Sequence, residues 1–333
     1  MNIKRILYMI LAATLLLGCS TAMTGCSSEY GNQVIIYSNA DDEAVEAMKS
    51  ALDANGYEGK YVFQSFGTSE LGGKILAEGT DIEADIITMS SYYIESAQAK
   101  HQMFQNLNFT VNTAVAYPNY YAPILANQGA IIINTQMMAE KNLDAPVSIK
   151  DLADPQYAGY LSMIDIQGSS TAWLMIQALV SEYGEDDAQE ILTSIYKNAG
   201  AHMEQSGSGP IKKIRSGEVA IGFGLRHQAV ADKKAGLPVD YIDPIEGNFT
   251  LTESLAVVNK GDKTNELAIK MAQCIIENGR DGLMEHYPVP LYEGETVDFS
   301  AISANPKVFA EPLTVELLEK HRILSETCKS SNK

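Results

Sequence analysis

Short apolar runs alternate with segments of helical periodicity along the first third of the chain. The apolar runs predict strands, and apolar residues that recur every three or four positions predict helices. Three strands and two intervening helices within about 90 residues of the N-terminus indicate an α/β fold, whose parallel strands are joined by crossover helices. The predicted strands are 34–37, 61–63 and 84–89, and the predicted helices are 41–56 and 69–79.

A second α/β stretch follows an interruption at 119–126, where proline and tyrosine residues break the pattern. A new apolar strand is expected to begin at Gly129. Cys274 lies on the apolar face of a predicted helix and is interpreted as a small buried residue. Further strands are expected at 129–133, 219–223 and 251–258, and further helices at 171–183, 187–199, 210–217, 225–235, 265–278 and 315–324.

The first 26 residues have the pattern of an export signal: a basic start, an apolar run from Ile6 to Leu17 and a small residue before a cysteine. The apolar run is too short to span a bilayer, which takes roughly 20 helical residues. Two sites, ending at Cys19 and Cys26, resemble the lipobox of bacterial lipoproteins, where the cysteine receives the lipid. Cys26 is slightly favoured, and an ordinary signal peptide is the alternative.

Length and charge narrow the possible functions. The chain has 333 residues, enough for two domains, and a formal net charge of −18, which becomes −20 when Lys4 and Arg5 leave with the signal. Nucleic acid is therefore not an expected partner, because that role needs a basic surface. A bridge between Cys274 and Cys328 is possible in an oxidising compartment but is not required.

Catalytic motifs are incomplete, so no enzyme activity, cofactor or metal is expected. The segment that begins at Gly67 lacks the final glycine of a nucleophile elbow, and the segment that begins at Gly222 lacks the third glycine of a dinucleotide loop. The five histidines have no zinc-ligand spacing. An extracytoplasmic hydrolase remains a rival interpretation.

Several motifs together resemble type II periplasmic binding proteins, in the branch of ferric-iron, thiamine and 2-aminoethylphosphonate binders of ABC importers. The resemblance covers nearly the whole chain after the signal, in order. Its motifs are Tyr37-Ser38-Asn39, Ala84-Asp85-Ile86, Gly129 with Asn134-Thr135, Ser206-Gly207-Ser208-Gly209-Pro210 and Ser216-Gly217-Glu218-Val219-Ala220-Ile221-Gly222.

This resemblance implies two α/β lobes, each a mostly parallel sheet with flanking helices, joined by two crossing strands near 120–126 and 250–256. The expected division is residues 1–26 as signal, 27–124 as the first part of lobe 1, 125–251 as lobe 2 and 252–333 as the return to lobe 1. The implied protein is a monomeric lipoprotein anchored outside the cytoplasm that delivers a small solute to ABC permease subunits. A sensory protein that presents ligand to a receptor would have the same sequence features.

Ligands of open α/β sheets bind at the loops that follow the strands, and these loops are rich in hydroxyl groups here. Hydroxyls and backbone N–H groups at helix starts form an anion site, to which Arg226 would add a guanidinium fork. Each serine is equally explained as a helix cap, Arg226 as part of a salt bridge and His227 as a partly buried histidine. The candidate ligand-binding residues are Ser38, Asn39, Thr68, Ser69, Ser90, Ser169, Ser170, Thr171, Arg226 and His227.

The identity of the solute follows less directly from the sequence than the class of protein does. Iron binders of the branch carry two adjacent tyrosines after the strand that ends near Phe223, where this chain has Leu225-Arg226-His227. Ferric iron is therefore the alternative, and a small anion or zwitterion such as 2-aminoethylphosphonate is preferred. A zwitterion's amine could meet Glu253, Asp165 or a tyrosine ring.

Overall fold

The computed structural model describes residues 33–331, without the side chain of Ser300. The predicted signal, with Cys19 and Cys26, lies outside these residues. The strands are β1 Val34–Ser38, β2 Tyr61–Ser65, β3 Ile86–Ser90, β4 Ala122–Asn134, β5 Leu161–Ile164, β6 Met203–Glu204, β7 Ile221–Leu225, β8 Val239–Ile242, β9 Asn248–Val257 and β10 Pro306–Lys307. The helices are α1 Asp42–Ala54, α2 Thr68–Glu78, α3 Ser91–His101, α4 Thr135–Lys141, α5 Thr171–Tyr183, α6 Glu185–Ala199, α7 Gly209–Arg215, α8 Arg226–Lys234, α9 Glu266–Asn278, α10 Arg280–His286 and α11 Val315–Ser330.

The described strands form a mixed sheet in the order β2-β1-β3-β9-β4-β7-β5-β6, with β8 paired to β4 and β10 to β9. Strand β1 runs parallel to β2 and β3, and β5 runs parallel to β6 and β7. The predicted α/β class and its parallel strands are therefore confirmed. We call β1–β3 with α1–α3, α9 and α10 lobe 1, and β5–β8 with α4–α8 lobe 2.

Two long antiparallel strands join the lobes. Residues 122–128 of β4 pair with β9, and residues 129–134 pair with β7 and β8. Strand β9 pairs in turn with β3. The predicted interruption at 119–126 is wrong from Ala122 onward, because β4 accommodates Pro123 through a register shift between Pro123 and Leu125.

Each lobe has an apolar core beside its part of the sheet. In lobe 1, α1 and α9 pack together over β1 and β9, with Met48, Leu52 and Ile275 fully buried. In lobe 2, Ile132, Ile211 and Ile214 form a smaller cluster. Met48, Leu52 and Ile275 belong to the apolar stripes from which α1 and α9 were predicted, so burial of those stripes accounts for these helices.

The C-terminal helix α11 packs along α6 of lobe 2 and also contacts α3 of lobe 1. The predicted chain limits of the lobes stay a prediction, because α11 touches both. Cys274 is buried against α1, whose Ala51 carbonyl is 3.6 Å from its sulfur, whereas Cys328 is buried on α11 near Gln189 of α6. No disulfide joins these two cysteines, so the optional bridge is not formed here.

Candidate functional site

A narrow cleft of about 40 Å³ lies between the lobes, above the paired strands β4 and β9. One wall comes from the loop after β1 and the start of α2, and the other from the loop before α5. Such a position, beyond strand ends and at helix starts, is typical of ligand sites in α/β sheets. The lining residues are Asn39, Ala40, Asp41, Thr68, Leu125, Asn127, Ser169, Ser170, Thr171, Gly207, Leu225, Glu253 and Tyr287.

The floor of the cleft carries a buried carboxyl group, that of Glu253 on β9. Ser90 donates a hydrogen bond to its Oε1 over 2.7 Å. Asn39, with its amide oriented to satisfy its neighbours, donates to Oε2 over 3.1 Å and accepts from Thr68. Burial raises the pKa of Glu253 to about 7; the two hydrogen bonds oppose the rise, and the charge of Asp41 adds to it.

Asp41 supplies a second carboxyl group from the loop that precedes α1. It occupies the N-cap position of α1, but its side chain makes no capping hydrogen bond. Burial is the main cause that raises its pKa to about 6, with Glu43 and Asp42 adding to the rise and Lys212 opposing it. The cleft therefore concentrates negative charge on the side of lobe 1.

The opposite wall presents hydroxyl groups at the start of α5. Ser170 is the N-cap residue, yet its hydroxyl makes no capping hydrogen bond. The Ser169 hydroxyl donates to Thr171 Oγ1 over 3.2 Å and accepts from the Thr171 backbone N–H over 3.3 Å. Gly207 lets the neighbouring loop approach this wall, since a Cβ there would lie 2.4 Å from Thr171 Oγ1.

Asn127 of β4 completes the set of polar groups. Its Oδ1 is buried and has no hydrogen-bond partner among the described residues. A buried acceptor without a donor costs roughly 1–3 kcal/mol, so a guest that donates a hydrogen bond would recover that energy. Near it, the Tyr287 ring closes one side of the cleft.

Two of the predicted serines have other partners. Ser38 is fully buried, and its hydroxyl accepts hydrogen bonds from Thr88 and from the Ala40 backbone. Ser69 donates to the Gln167 carbonyl of lobe 2 over 2.7 Å and accepts from Arg322 over 2.6 Å. Ser69 thus links the lobes instead of lining the cleft. Ser90 acts through Glu253, as described above.

Arg226 is not placed as an anion ligand. It is buried and forms a bidentate ion pair with Asp243, at 2.7 and 3.1 Å, while its remaining bonds go to the Ala301 and Ile302 carbonyls. The contacts of Arg226 are therefore those of a salt bridge, the alternative interpretation given above, although the pair is buried and not on the surface.

His227 lies on the far side of Tyr287 from the cleft. The two ring centroids are 4.4 Å apart. His227 instead lines a larger cavity of about 450 Å³ between α8 and α10. Desolvation, with His286 nearby, lowers the pKa of His227 to about 3, so the ring is neutral at physiological pH.

The structure brings together Asn39, Thr68, Ser169, Ser170 and Thr171 of the predicted set, and it adds Asp41, Asn127 and Tyr287. Asp41 was predicted only as the first residue of a helix, where the helix dipole explains an acidic side chain equally well. Asn127 lay between the predicted interruption at 119–126 and the strand expected from Gly129. Tyr287 follows a short helix that was not predicted.

No cluster of three or more histidine, cysteine, aspartate or glutamate side chains has metal-binding geometry within residues 33–331. No helix in that range is both long and apolar enough to cross a membrane.

The fold and cleft define a two-lobed receptor for small solutes. Residues 81–295 match the family model described as bacterial extracellular solute-binding protein, and the chain belongs to that family. The chain is 23% identical over 235 residues to the spermidine/putrescine-binding periplasmic protein of Escherichia coli, a match that covers 65% of each chain.

Two solved structures share the fold. A periplasmic thiamin-binding protein has a TM-score of 0.72 at 15% identity, over 90% of this chain and 95% of that one. Iron-bound HitA from Pseudomonas aeruginosa has a TM-score of 0.69 at 19% identity, over 90% and 99%. The predicted type II binding-protein fold is thus confirmed. The protein is an extracellular solute-binding component of the ABC importer class.

Glu253 should make the folded state less stable as pH rises. A carboxyl whose pKa is higher in the folded state than its ordinary 4.5 keeps its proton better when folded, so stability falls between about pH 4.5 and pH 7 and is then constant. We expect Glu253→Gln to remove this fall and to raise the free energy of unfolding at pH 8 by about 3 kcal/mol at most. Urea unfolding at pH 5 and pH 8 measures it; an equal gain at both pH values contradicts it.

Arg226→Ala should destabilise the fold without acting on the cleft. It leaves the Asp243 carboxylate buried and unpaired, which costs about 3–5 kcal/mol. Denaturant unfolding should show this loss, and adding Asp243→Asn should restore part of it because the two residues are coupled. An Arg226→Ala protein of unchanged stability would contradict the structural role.

Proposed function

We propose that this protein captures a small zwitterionic solute that carries an amine, with 2-aminoethylphosphonate as the first candidate, and delivers it to an ABC permease. The observation that carries the proposal is that the two sides of the cleft present different chemical groups. Carboxyl groups of Asp41 and Glu253 lie on one side of the cleft, and hydroxyls at the start of α5 lie on the other.

The acidic side suits an ammonium group. Asp41, Glu253 and the unpartnered Asn127 Oδ1 are all hydrogen-bond acceptors. A cation near the two carboxyls would favour their ionised forms and lower both raised pKa values. The cleft lining described here includes no lysine or arginine, and Lys212, outside the lining, only partly opposes the rise in the pKa of Asp41.

The opposite side suits an anionic group. The 13-residue helix α5 begins at the cleft, so the positive end of its dipole lies there. Ser170 adds a hydroxyl that is not used as a cap. With Arg226 committed to Asp243, this wall offers dipoles only, so the anionic end of the guest is held less strongly than its ammonium end.

A dication such as putrescine is the second candidate. It is favoured by the same carboxyl pair, and the E. coli relative is described as a spermidine/putrescine-binding protein. The volume of about 40 Å³ argues for a compact guest over a long one. Ferric iron remains an alternative, supported by the fold it shares with iron-bound HitA.

In this proposal the protein acts by hinge closure and carries out no chemistry, as a monomer. Solute that contacts both walls binds the closed form better than the open form, and that difference alone drives closure. A sensory role would use the same closure. Uptake of labelled solute by cells with and without the protein distinguishes import from sensing.

A matched set of ligands tests the solute class. 2-Aminoethylphosphonate should raise the melting temperature, whereas ethylphosphonate, which lacks the amine, should have little effect because the carboxyl groups then have no partner. Putrescine and ferric citrate complete the set, measured by thermal shift at pH 8. A shift with ferric citrate or putrescine but not with 2-aminoethylphosphonate would reject the first candidate.

Variants of the two walls separate their roles. Glu253→Gln should weaken 2-aminoethylphosphonate binding roughly 10- to 100-fold, the effect of losing a hydrogen bond to a charged group. Ser170→Ala should weaken it only a few-fold. Isothermal titration calorimetry measures both, and Arg226→Lys, away from the cleft, is the control. If Glu253→Gln and the wild type had equal affinities, the assignment of the solute's ammonium group to this side of the cleft would be wrong.

The proposed location is the outer face of the cell membrane, with a lipid on Cys26 or Cys19. Cys26→Ser should abolish incorporation of radiolabelled palmitate and release the protein from the membrane fraction, whereas Cys19→Ser should not. The opposite result would assign the lipid to Cys19. Labelling of the double variant would refute lipidation at either cysteine.

A further inference from the structure

Polar contacts of its side chains fix helix α11 to lobe 2. The Trp173 indole of α5 donates to His321 over 2.6 Å, Tyr196 of α6 and Ser325 share a hydrogen bond of 2.9 Å, and Lys329 pairs with Asp165 over 2.7 Å. Burial lowers the pKa of His321 to about 4, so its ring stays neutral and can accept the indole N–H. The helix therefore moves with lobe 2.

One side chain of this helix reaches lobe 1. The Arg322 guanidinium donates from Nη2 to the Ser69 hydroxyl over 2.6 Å and to the Tyr93 hydroxyl over 3.2 Å. Ser69 in turn donates to the Gln167 carbonyl of lobe 2. The Arg322 side chain is 14% exposed, so these bonds are largely protected from water.

An aromatic contact lies beside this group. Tyr92 of α3 and Trp173 of α5 meet edge to face with ring centroids 5.1 Å apart. Trp173 is the same residue that anchors His321. The contacts between α3 and α5 and those of Arg322 thus form one continuous patch that exists only while the lobes are together.

We propose that Arg322 is a positioning residue that holds the lobes closed and sets how long a captured solute is retained. It acts through lobe closure and not by touching the solute, because the residues that line the cleft do not include it. It lines a separate shallow surface with Gln167 and Glu319. A lysine at this position could make only some of these hydrogen bonds, because it lacks the fixed fork of donors that arginine presents.

Hydrogen exchange in the absence of solute tests the proposal. Arg322→Ala should raise exchange of the backbone amides in 66–71 and 165–171 about tenfold, the size expected for losing hydrogen bonds to a charged group, with the rest of each lobe unchanged. Tyr93→Phe removes one acceptor from lobe 1 alone and should give a smaller rise. Arg322→Lys should lie between wild type and Arg322→Ala.

Lys320→Ala is the matched control, since Lys320 lies on the same helix and pairs with Glu185 inside lobe 2. It should leave exchange in both segments unchanged. An equal rise in Lys320→Ala and Arg322→Ala would assign the effect to α11 as a whole and overturn the proposal. So would unchanged exchange in Arg322→Ala, or a rise spread over the core of either lobe.

A kinetic measurement links closure to retention. For 2-aminoethylphosphonate, Arg322→Ala should raise the dissociation rate about tenfold with a nearly unchanged association rate, measured by stopped-flow tryptophan fluorescence. A change confined to the association rate would overturn the role in retention. Absence of any binding by the wild type would reject the proposed solute and leave the exchange experiment to decide on Arg322.

Discussion

The antiparallel pairing of β4 with β9 is the constraint on which the other features depend. It joins the two lobes, and it carries both Asn127 and Glu253, which lie at the cleft floor. Polar groups on paired strands are held by the backbone ladder and cannot withdraw when the site is empty. The walls come from loops and helix starts, which can move with their lobes. The site therefore combines an acidic floor held by paired strands with walls formed by loops and helix starts.

The ionised forms of the two cleft carboxyl groups are energetically unfavourable in this structure. Burial opposes ionisation of Glu253 and Asp41, and the charge of Asp41 further opposes ionisation of Glu253. In the proposed function an ammonium group would offset both penalties, so part of the binding energy would come from relief of a cost already present in the fold. The overall negative charge has less influence on this balance, because exposed charges are screened beyond about 8 Å at physiological salt.

Contacts between the lobes determine how strongly solute binding shifts the protein toward its closed form. If Arg322 and Tyr92 hold the lobes together without solute, they raise the fraction of binding-competent protein and so the apparent affinity. The same contacts reduce the difference between the empty and loaded states, which is the difference a permease must recognise. The contact of one arginine with two hydroxyls is small, so solute binding still determines the equilibrium between the open and closed forms.

Local periodicity was sufficient to place most elements, since α1, α2, α5, α6, α9 and the central strands bury stripes visible in the sequence. The helices α3, α4 and α10 and strands β5, β6, β8 and β10 were missed, because short elements and the mixed sequence of α3 give weak periodic signals. The apolar pattern predicted strand β4 only from Gly129 onward, since a proline argues against a strand unless a register shift accommodates it, whereas the resemblance implied a crossing strand near 120–126.

The partners of the polar residues could not be predicted from the sequence in the same way. The sequence by itself determined the order of elements, the binding-protein motifs and the hydroxyl-rich loops, all of which are short-range features. Only the tertiary structure decided that Arg226 pairs with Asp243, that Ser69 bonds to Arg322 and that Asp41 lines the cleft. The reason is physical: a polar side chain takes whichever partner the fold brings near, and Ser90 and Glu253 meet across 163 positions of chain.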